Sequence, residues 1–352
     1  MYYRTENPHG GDSYGRHIVL DHSANVNPLG TPPGVLAAAR EALEESHCYP
    51  DPCCRALVKA IAAYESVPEE WILCGNGASE LILSFCAAAG ARRAAALAPT
   101  FSEYAASFRL FGGETVLYPL KEENVFQPGE DFLPWLRKLR PELVFLCNPN
   151  NPTGRLLPPE LLRELLDLCQ LQGTRLFVDE CFLELSEGGR SLKGYLREYP
   201  ELFLLKAFTK SYGMAGLRLG YCLSADGELL GRMAEHTPPW NVSGPAQAAG
   251  VAALGERDFL ERARSLIRAE RPRLYMALER LGFRVCPSEA NYILFHGPES
   301  LHGDLLKLGV SIRNCANYPG LGPGWYRVAV RSREENERLT EALRECVKWQ
   351  KA

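Results

Sequence analysis

The chain has 352 residues, 46% hydrophobic and 23% charged, with Lys+Arg 39 against Asp+Glu 43 and a formal net charge of −4. These balances exclude a disordered or fibrous chain, and the lack of a basic excess excludes an electrostatic footprint for nucleic acid or an anionic membrane. A single hydrophobic core stops growing at roughly 250–300 residues, so a large domain with a smaller companion is expected, acting on a small molecule.

Residues 1–30, rich in Gly, Asn, Pro and His, read as an irregular arm. The start lacks the basic and apolar stretches of a secretory signal, which points to the cytoplasm. Seven short apolar runs follow: Trp71 to Cys74, Ala94 to Leu97, Thr115 to Tyr118, Leu143 to Leu146, Leu176 to Val178, Leu202 to Leu205 and Leu219 to Leu223. Continuous runs of this kind predict strands buried on both faces, hence an α/β sheet with helices on both sides. Phe85 to Ala98 comes nearest to a membrane segment, but Gly90, Arg92 and Arg93 break it. Pro158-Pro159 opens a crossover helix that Gly173 stops. Glu256 to Leu281 is of helical period with an interruption at Pro272, and leads into a small α+β unit. That unit holds strands at 291–295, 310–313 and 326–331 and a C-terminal helix over 333–349. The expected division is 1–45 for the arm and the start of the small domain, 46–255 for the large domain, and 256–352 for the interdomain helix and small domain. Twelve cysteines, never in Cys-x-x-Cys spacing, read as reduced core thiols, and no metal site is expected.

Four segments carry chemistry. Lys210 follows an apolar strand within Phe208-Thr209-Lys210-Ser211-Tyr212-Gly213, with Arg218 eight residues on; it is either a solvated cation or an amine that condenses with a carbonyl. Cys74-Gly75-Asn76-Gly77-Ala78-Ser79 is a strand end, a glycine turn and a helix start, which suits a phosphate. Asn148 to Gly154 is a constrained polar loop after a strand. Asp179 ends another strand and so faces the crevice where α/β sheets bind ligands.

Together and in this order, these segments resemble the fold-type I pyridoxal 5′-phosphate enzymes, in the branch of histidinol-phosphate aminotransferase. The resemblance covers nearly the whole chain and implies a seven-stranded mixed sheet plus a smaller C-terminal α+β domain. It implies that Lys210 holds the cofactor covalently and that Thr209, Arg218 and the N–H groups of Gly77, Ala78 and Ser79 bind its phosphate. Asp179 would pair with the pyridine nitrogen, Asn151 with the ring hydroxyl, and Tyr104 would stack on the ring. Lys210, Asp179 and Tyr104 are the expected catalytic residues. Tyr49 matches a tyrosine that reaches the neighbouring subunit's cofactor, implying a homodimer.

Two positions depart from the aminotransferase pattern. Phe182 stands where a tyrosine is usual, and Ala207 where a hydroxyl residue is usual, so that one phosphate contact is either missing or replaced, with Ser211 as the candidate replacement. The arm segments His9 to Asp12 and Asp21 to Gly30, with Arg313 to Leu321, look like the L-threonine O-3-phosphate decarboxylases of cobalamin biosynthesis. The resemblance implies that His9, Asn25, Asn27, Arg313, Arg327 and Arg331 bind a phosphorylated amino acid, with L-serine O-phosphate as a second possible substrate. Arg327 and Arg331, four residues apart on an expected strand, share a face. The competing reading is an aminotransferase acting on histidinol phosphate or an aromatic amino acid with 2-oxoglutarate. A non-catalytic member is disfavoured by the intact Lys210, Asp179 and Arg218.

Overall fold

The computed structural model describes residues 9–15 and 17–349. Its large sheet has seven strands in the spatial order Ile72–Gly75, Gly220–Ser224, Leu202–Ala207, Arg175–Asp179, Leu143–Cys147, Arg93–Ala98 and Glu114–Pro119. All seven expected strands are present. Gly220–Ser224 runs antiparallel to both of its neighbours and the other pairings are parallel, so the sheet is mixed. Alternate side chains feed two cores: Val144 and Leu146 enter one, Leu143, Phe145 and Cys147 the other. Helices cover both faces, which explains why the strands read as continuous apolar runs. The crossover helix Pro159–Gln172 starts on its proline and ends where Gly173 takes φ +66, a left-handed stop that suits glycine.

The smaller sheet is antiparallel, in the order Arg313–Asn314, Trp325–Ala329, Tyr292–His296 and Arg284–Val285. Its core includes Leu274 and Leu278 from one helix and Leu339 and Leu343 from the C-terminal one. Three expectations are corrected here. The helix Arg257–Arg280 is continuous through Pro272; packing of Ala263, Ile267, Leu274 and Leu278 in the core holds both halves despite the lost N–H. The segment at 310–313 is two short strands in different sheets, and Val310–Ser311 pairs in parallel with Leu20–Asp21, so the arm is anchored by a strand. The last strand ends at Ala329, which leaves Arg331 beyond it.

Of the twelve cysteines, ten are buried and two, Cys48 and Cys53, are exposed; all are free thiols. Among the described residues no helix is long and apolar enough to cross a membrane.

Candidate active site

The parallel strands end at Cys147, Asp179 and Ala207, and their carboxyl edge opens on a cavity of about 410 Å³. In open α/β sheets this edge is where ligands settle. The small sheet lines the cavity with Arg313 and Arg327, the turn after Arg313–Asn314 adds Tyr318, and the arm contributes His9, Ser23 and Asn25.

Lys210 sits on a single helical turn, Phe208–Ser211, directly after the strand Leu202–Ala207. Its side chain enters the cavity. Burial lowers its amine to about 8, with Arg327 and Arg218 adding to the effect and Cys181 and Asp179 opposing it. A buried amine of this kind is uncharged often enough to act as a nucleophile or a base near neutrality. Phe182 presents its ring to Lys210, with Nζ 5.7 Å from the centroid, and packs edge-on against Tyr292.

Asp179 lies at the end of its strand and is buried. Burial raises its carboxyl, and hydrogen bonds from Cys181 and Tyr104 together with the charge of Lys210 oppose the rise. The Tyr104 hydroxyl donates to Oδ2 at 2.6 Å, and the Cys181 N–H to Oδ1 at 2.8 Å. Tyr104 is the residue expected to stack on the cofactor ring. Its ring lies within the core, stacked on Phe145 at 5.5 Å with an interplanar angle of 9°, and does not line the cavity. Phe101, three residues earlier, is the aromatic that faces the cavity.

At the other end of the cavity the helix Ala78–Ala88 begins with no side chain capping it. Its first N–H groups lack intrahelical partners, and Ala78 and Ser79 line the cavity. Gly77 has φ +82, and a Cβ there would come within 2.5 Å of Arg218 Nη2. Glycine thus lets the guanidinium lie flat on the start of the helix, where two positive elements converge on one point. Thr209 lines the cavity, but Ser211 does not: its hydroxyl donates to the Ala207 carbonyl at 3.1 Å. Of the two alternatives left by Ala207, a missing phosphate contact or its replacement by Ser211, this placement favours the first.

Arg313 and Arg327 are direct cross-strand partners in the small sheet. Like charges placed opposite each other cost stability, and both side chains are buried and line the cavity. Arg327 donates to Asn151 Oδ1 and, at 3.0 Å, to the Ser23 carbonyl. Asn25, with its amide oxygen turned to Arg327, accepts from Nε at 3.0 Å. Arg313 donates to Asn317 Oδ1 at 2.8 Å and stands over the Tyr318 ring. His9 donates to Glu103 at 2.9 Å, and both line the cavity.

Two residues expected at the substrate, Asn27 and Arg331, lie outside the cavity lining. Asn27 does not line the cavity; its Nδ2 donates to the Ser211 carbonyl at 2.7 Å, its Oδ1 accepts from Leu29, and its N–H donates to the Lys210 carbonyl. It ties the arm to the lysine turn. Arg331 donates to the Asp21 carbonyl at 2.7 Å and also lies off the cavity. Tyr49 is exposed, outside the cavity, and stacked on Trp240 at 4.4 Å. Phe101 and Glu103 were missed by sequence reasoning, although both belong to Pro99-Thr100-Phe101-Ser102-Glu103-Tyr104, the segment that drew attention to Tyr104.

The profile of the family "Aminotransferase class I and II" matches residues 17–343. The chain is 37% identical to a threonine-phosphate decarboxylase of Salmonella typhimurium over 93% of this chain and 90% of the relative. It is 35% identical to a histidinol-phosphate aminotransferase of Symbiobacterium thermophilum, over 94% and 91%. The crystal structure of histidinol-phosphate aminotransferase from Clostridium acetobutylicum superposes with a TM-score of 0.87 at 29% identity, covering 94% of this chain and 99% of that one.

Proposed function

The chain belongs to the aminotransferase class I and II family, an enzyme family whose cofactor here is pyridoxal 5′-phosphate, and on that premise we propose that it removes carbon dioxide from L-threonine O-3-phosphate. The product is (R)-1-amino-2-propanol O-2-phosphate, a precursor in cobalamin biosynthesis. L-serine O-phosphate, one methyl smaller, is a second substrate, since one methyl changes binding by only about 1–3 kcal/mol.

The residues present fit the cofactor. Arg218 over Gly77, with the open helix start at Ala78 and Ser79, suits its phosphate. The buried Asp179 carboxylate suits a protonated ring nitrogen, Asn151 the ring hydroxyl, and Phe101 a ring face. When bound, the cofactor supplies an electron sink for charge that develops at the substrate α-carbon. Lys210 holds it and then, as a free amine, carries a proton to that carbon. Tyr104 and the Cys181 N–H keep Asp179 fixed and ionised. Tyr49, on an exposed stack with Trp240, serves the partner's site in a homodimer.

The observation that carries the reading is the opposition of Arg313 and Arg327 on one cavity wall. Two buried guanidinium groups in register repel unless an anion lies between them, and a substrate with a carboxylate and a phosphomonoester provides one. His9 and Asn25 extend this wall from the arm. Phe182 removes one support of transamination, because it brings no hydroxyl to the cofactor's ring oxygen, where the aminotransferases this chain resembles usually carry a tyrosine. The near-equal similarity to histidinol-phosphate aminotransferases supports the second reading, an aminotransferase using 2-oxoglutarate. Incubation with threonine phosphate, serine phosphate and histidinol phosphate in turn, with carbon dioxide and 2-oxoglutarate both measured, separates the two. Gas release without a keto acid is expected; keto-acid-dependent loss of the amine without gas would overturn the proposal.

A further inference from the structure

We propose that Glu45, His47 and Cys48 form a binding site for a borderline divalent cation of the zinc class, outside the cavity. The helix Pro33–Ala42 ends in a run of tight turns in which Ser46 N–H donates to the Leu43 carbonyl at 3.1 Å and Cys48 N–H to the Glu45 carbonyl at 2.9 Å. This folding brings one ligand atom from each of Glu45, His47 and Cys48 to within 4.8 Å of the others, with Cys48 Sγ 4.0 Å from a Glu45 carboxylate oxygen. Zinc bonds of about 2.0–2.3 Å in a tetrahedral arrangement put ligand atoms some 3.3–3.7 Å apart. Contraction by roughly 1 Å, within the reach of exposed side chains, completes the set.

The donor chemistry selects the cation. A thiolate and an imidazole are poor ligands for calcium or magnesium, which take oxygen, and good ones for zinc and its neighbours. Three protein ligands leave a fourth position to water. Among the described residues this is the one such group of three or more His, Cys, Asp and Glu side chains. The sequence spacing hides it, because the ligands occupy positions one, three and four of a single turn and form no Cys-x-x-Cys motif.

The ion also has a place in the fold. Just beyond it Asp51 fixes the chain by accepting from the N–H groups of Cys53 at 3.0 Å and Arg55 at 2.8 Å. Between these two anchors lies Tyr49, stacked on Trp240. The ion would pin the loop that presents Tyr49; that consequence rests on the dimer reading, whereas the ion site does not.

The test uses the full-length, cofactor-loaded protein after chelation and gel filtration. Zn²⁺ is titrated in competition with a chromogenic chelator, and Co²⁺ is followed by its visible ligand-field bands. One ion per chain is expected. Cys48→Ser and His47→Gln should each weaken binding tenfold or more, Glu45→Gln should weaken it less, and Cys53→Ser, the other exposed thiol, should leave it unchanged. With all three ligands exposed, melting of the metal-free variants should match that of the parent chain. Absence of stoichiometric binding, retention of binding in both Cys48→Ser and His47→Gln, or its loss in Cys53→Ser would each overturn the proposal.

Discussion

Replacing Tyr104 with Phe removes one oxygen atom and separates two roles for this side chain. The ring would keep its place on Phe145, so a role in stacking predicts no loss. The structure assigns the hydroxyl instead to Asp179 Oδ2, at 2.6 Å inside the core. A hydrogen bond to a charged group is worth about 1.5–3 kcal/mol, which corresponds to roughly 10–150-fold in an equilibrium constant. Burial already raises the Asp179 carboxyl, and loss of a donor to its ionised form raises it further. Tyr104→Phe should therefore weaken retention of pyridoxal phosphate by 10–150-fold. It should also shift the acid loss of the cofactor to higher pH, since a carboxyl with a raised pKa takes up its proton earlier on acidification. Equilibrium dialysis of the cofactor across a pH series reads both quantities. Retention within twofold of the parent, with an unmoved acid limb, would refute the reasoning.

The remaining expectations concern the lysine, the buried ion network and the arginines. Burial holds Lys210 down to about 8 in the cofactor-free site, so reloading of stripped protein should accelerate as pH rises through about 8 and level off above it; a rate still climbing at pH 10 would contradict that environment. Lys206 is buried between Glu65 at 3.2 Å and Glu180 at 3.5 Å, and Lys206→Met should cost about 3–5 kcal/mol of stability by leaving two buried carboxylates without their shared cation, a loss readable in urea unfolding. Arg327→Met, in the cavity wall, should lower kcat/KM by about 10–150-fold, the worth of a charged hydrogen bond, whereas Arg331→Met, bonded to the Asp21 carbonyl away from the cavity, should leave KM within twofold.

Strands such as Leu143–Cys147, Leu202–Ala207 and Gly220–Ser224 were legible because both faces are buried, which writes burial into consecutive residues, whereas the edge strand Glu114–Pro119, where only Tyr118 is buried, was legible from its β-branched and aromatic run Thr115 to Tyr118. Lys210 and Asn151 come after the end of an apolar strand, Asp179 is the last residue of one, and Arg218 comes just before Gly220–Ser224; all four line the cavity. The positions of Tyr104, Asn27 and Arg331 relative to the cavity were not legible, because they depend on contacts distant in sequence. Tyr104 reaches Asp179 from a helix 75 positions earlier, Asn27 meets the lysine turn across 184 positions, and Arg331 faces the arm across 310. Period-two reasoning also assumed a strand through Arg331 that ends at Ala329. Phe101 escaped notice because two aromatics in one short segment cannot be assigned to core or cavity until the helix they flank is oriented.

The central claim is that the substrate loses its carboxyl carbon and keeps its nitrogen. Feeding threonine phosphate labelled with ¹³C in the carboxyl group and ¹⁵N in the amine tests this in one reaction, followed by mass spectrometry. Decarboxylation puts ¹³C in the released gas and ¹⁵N in aminopropanol phosphate, with no keto acid added. Recovery of ¹³C in an organic acid, with ¹⁵N transferred to glutamate when 2-oxoglutarate is supplied, would contradict it.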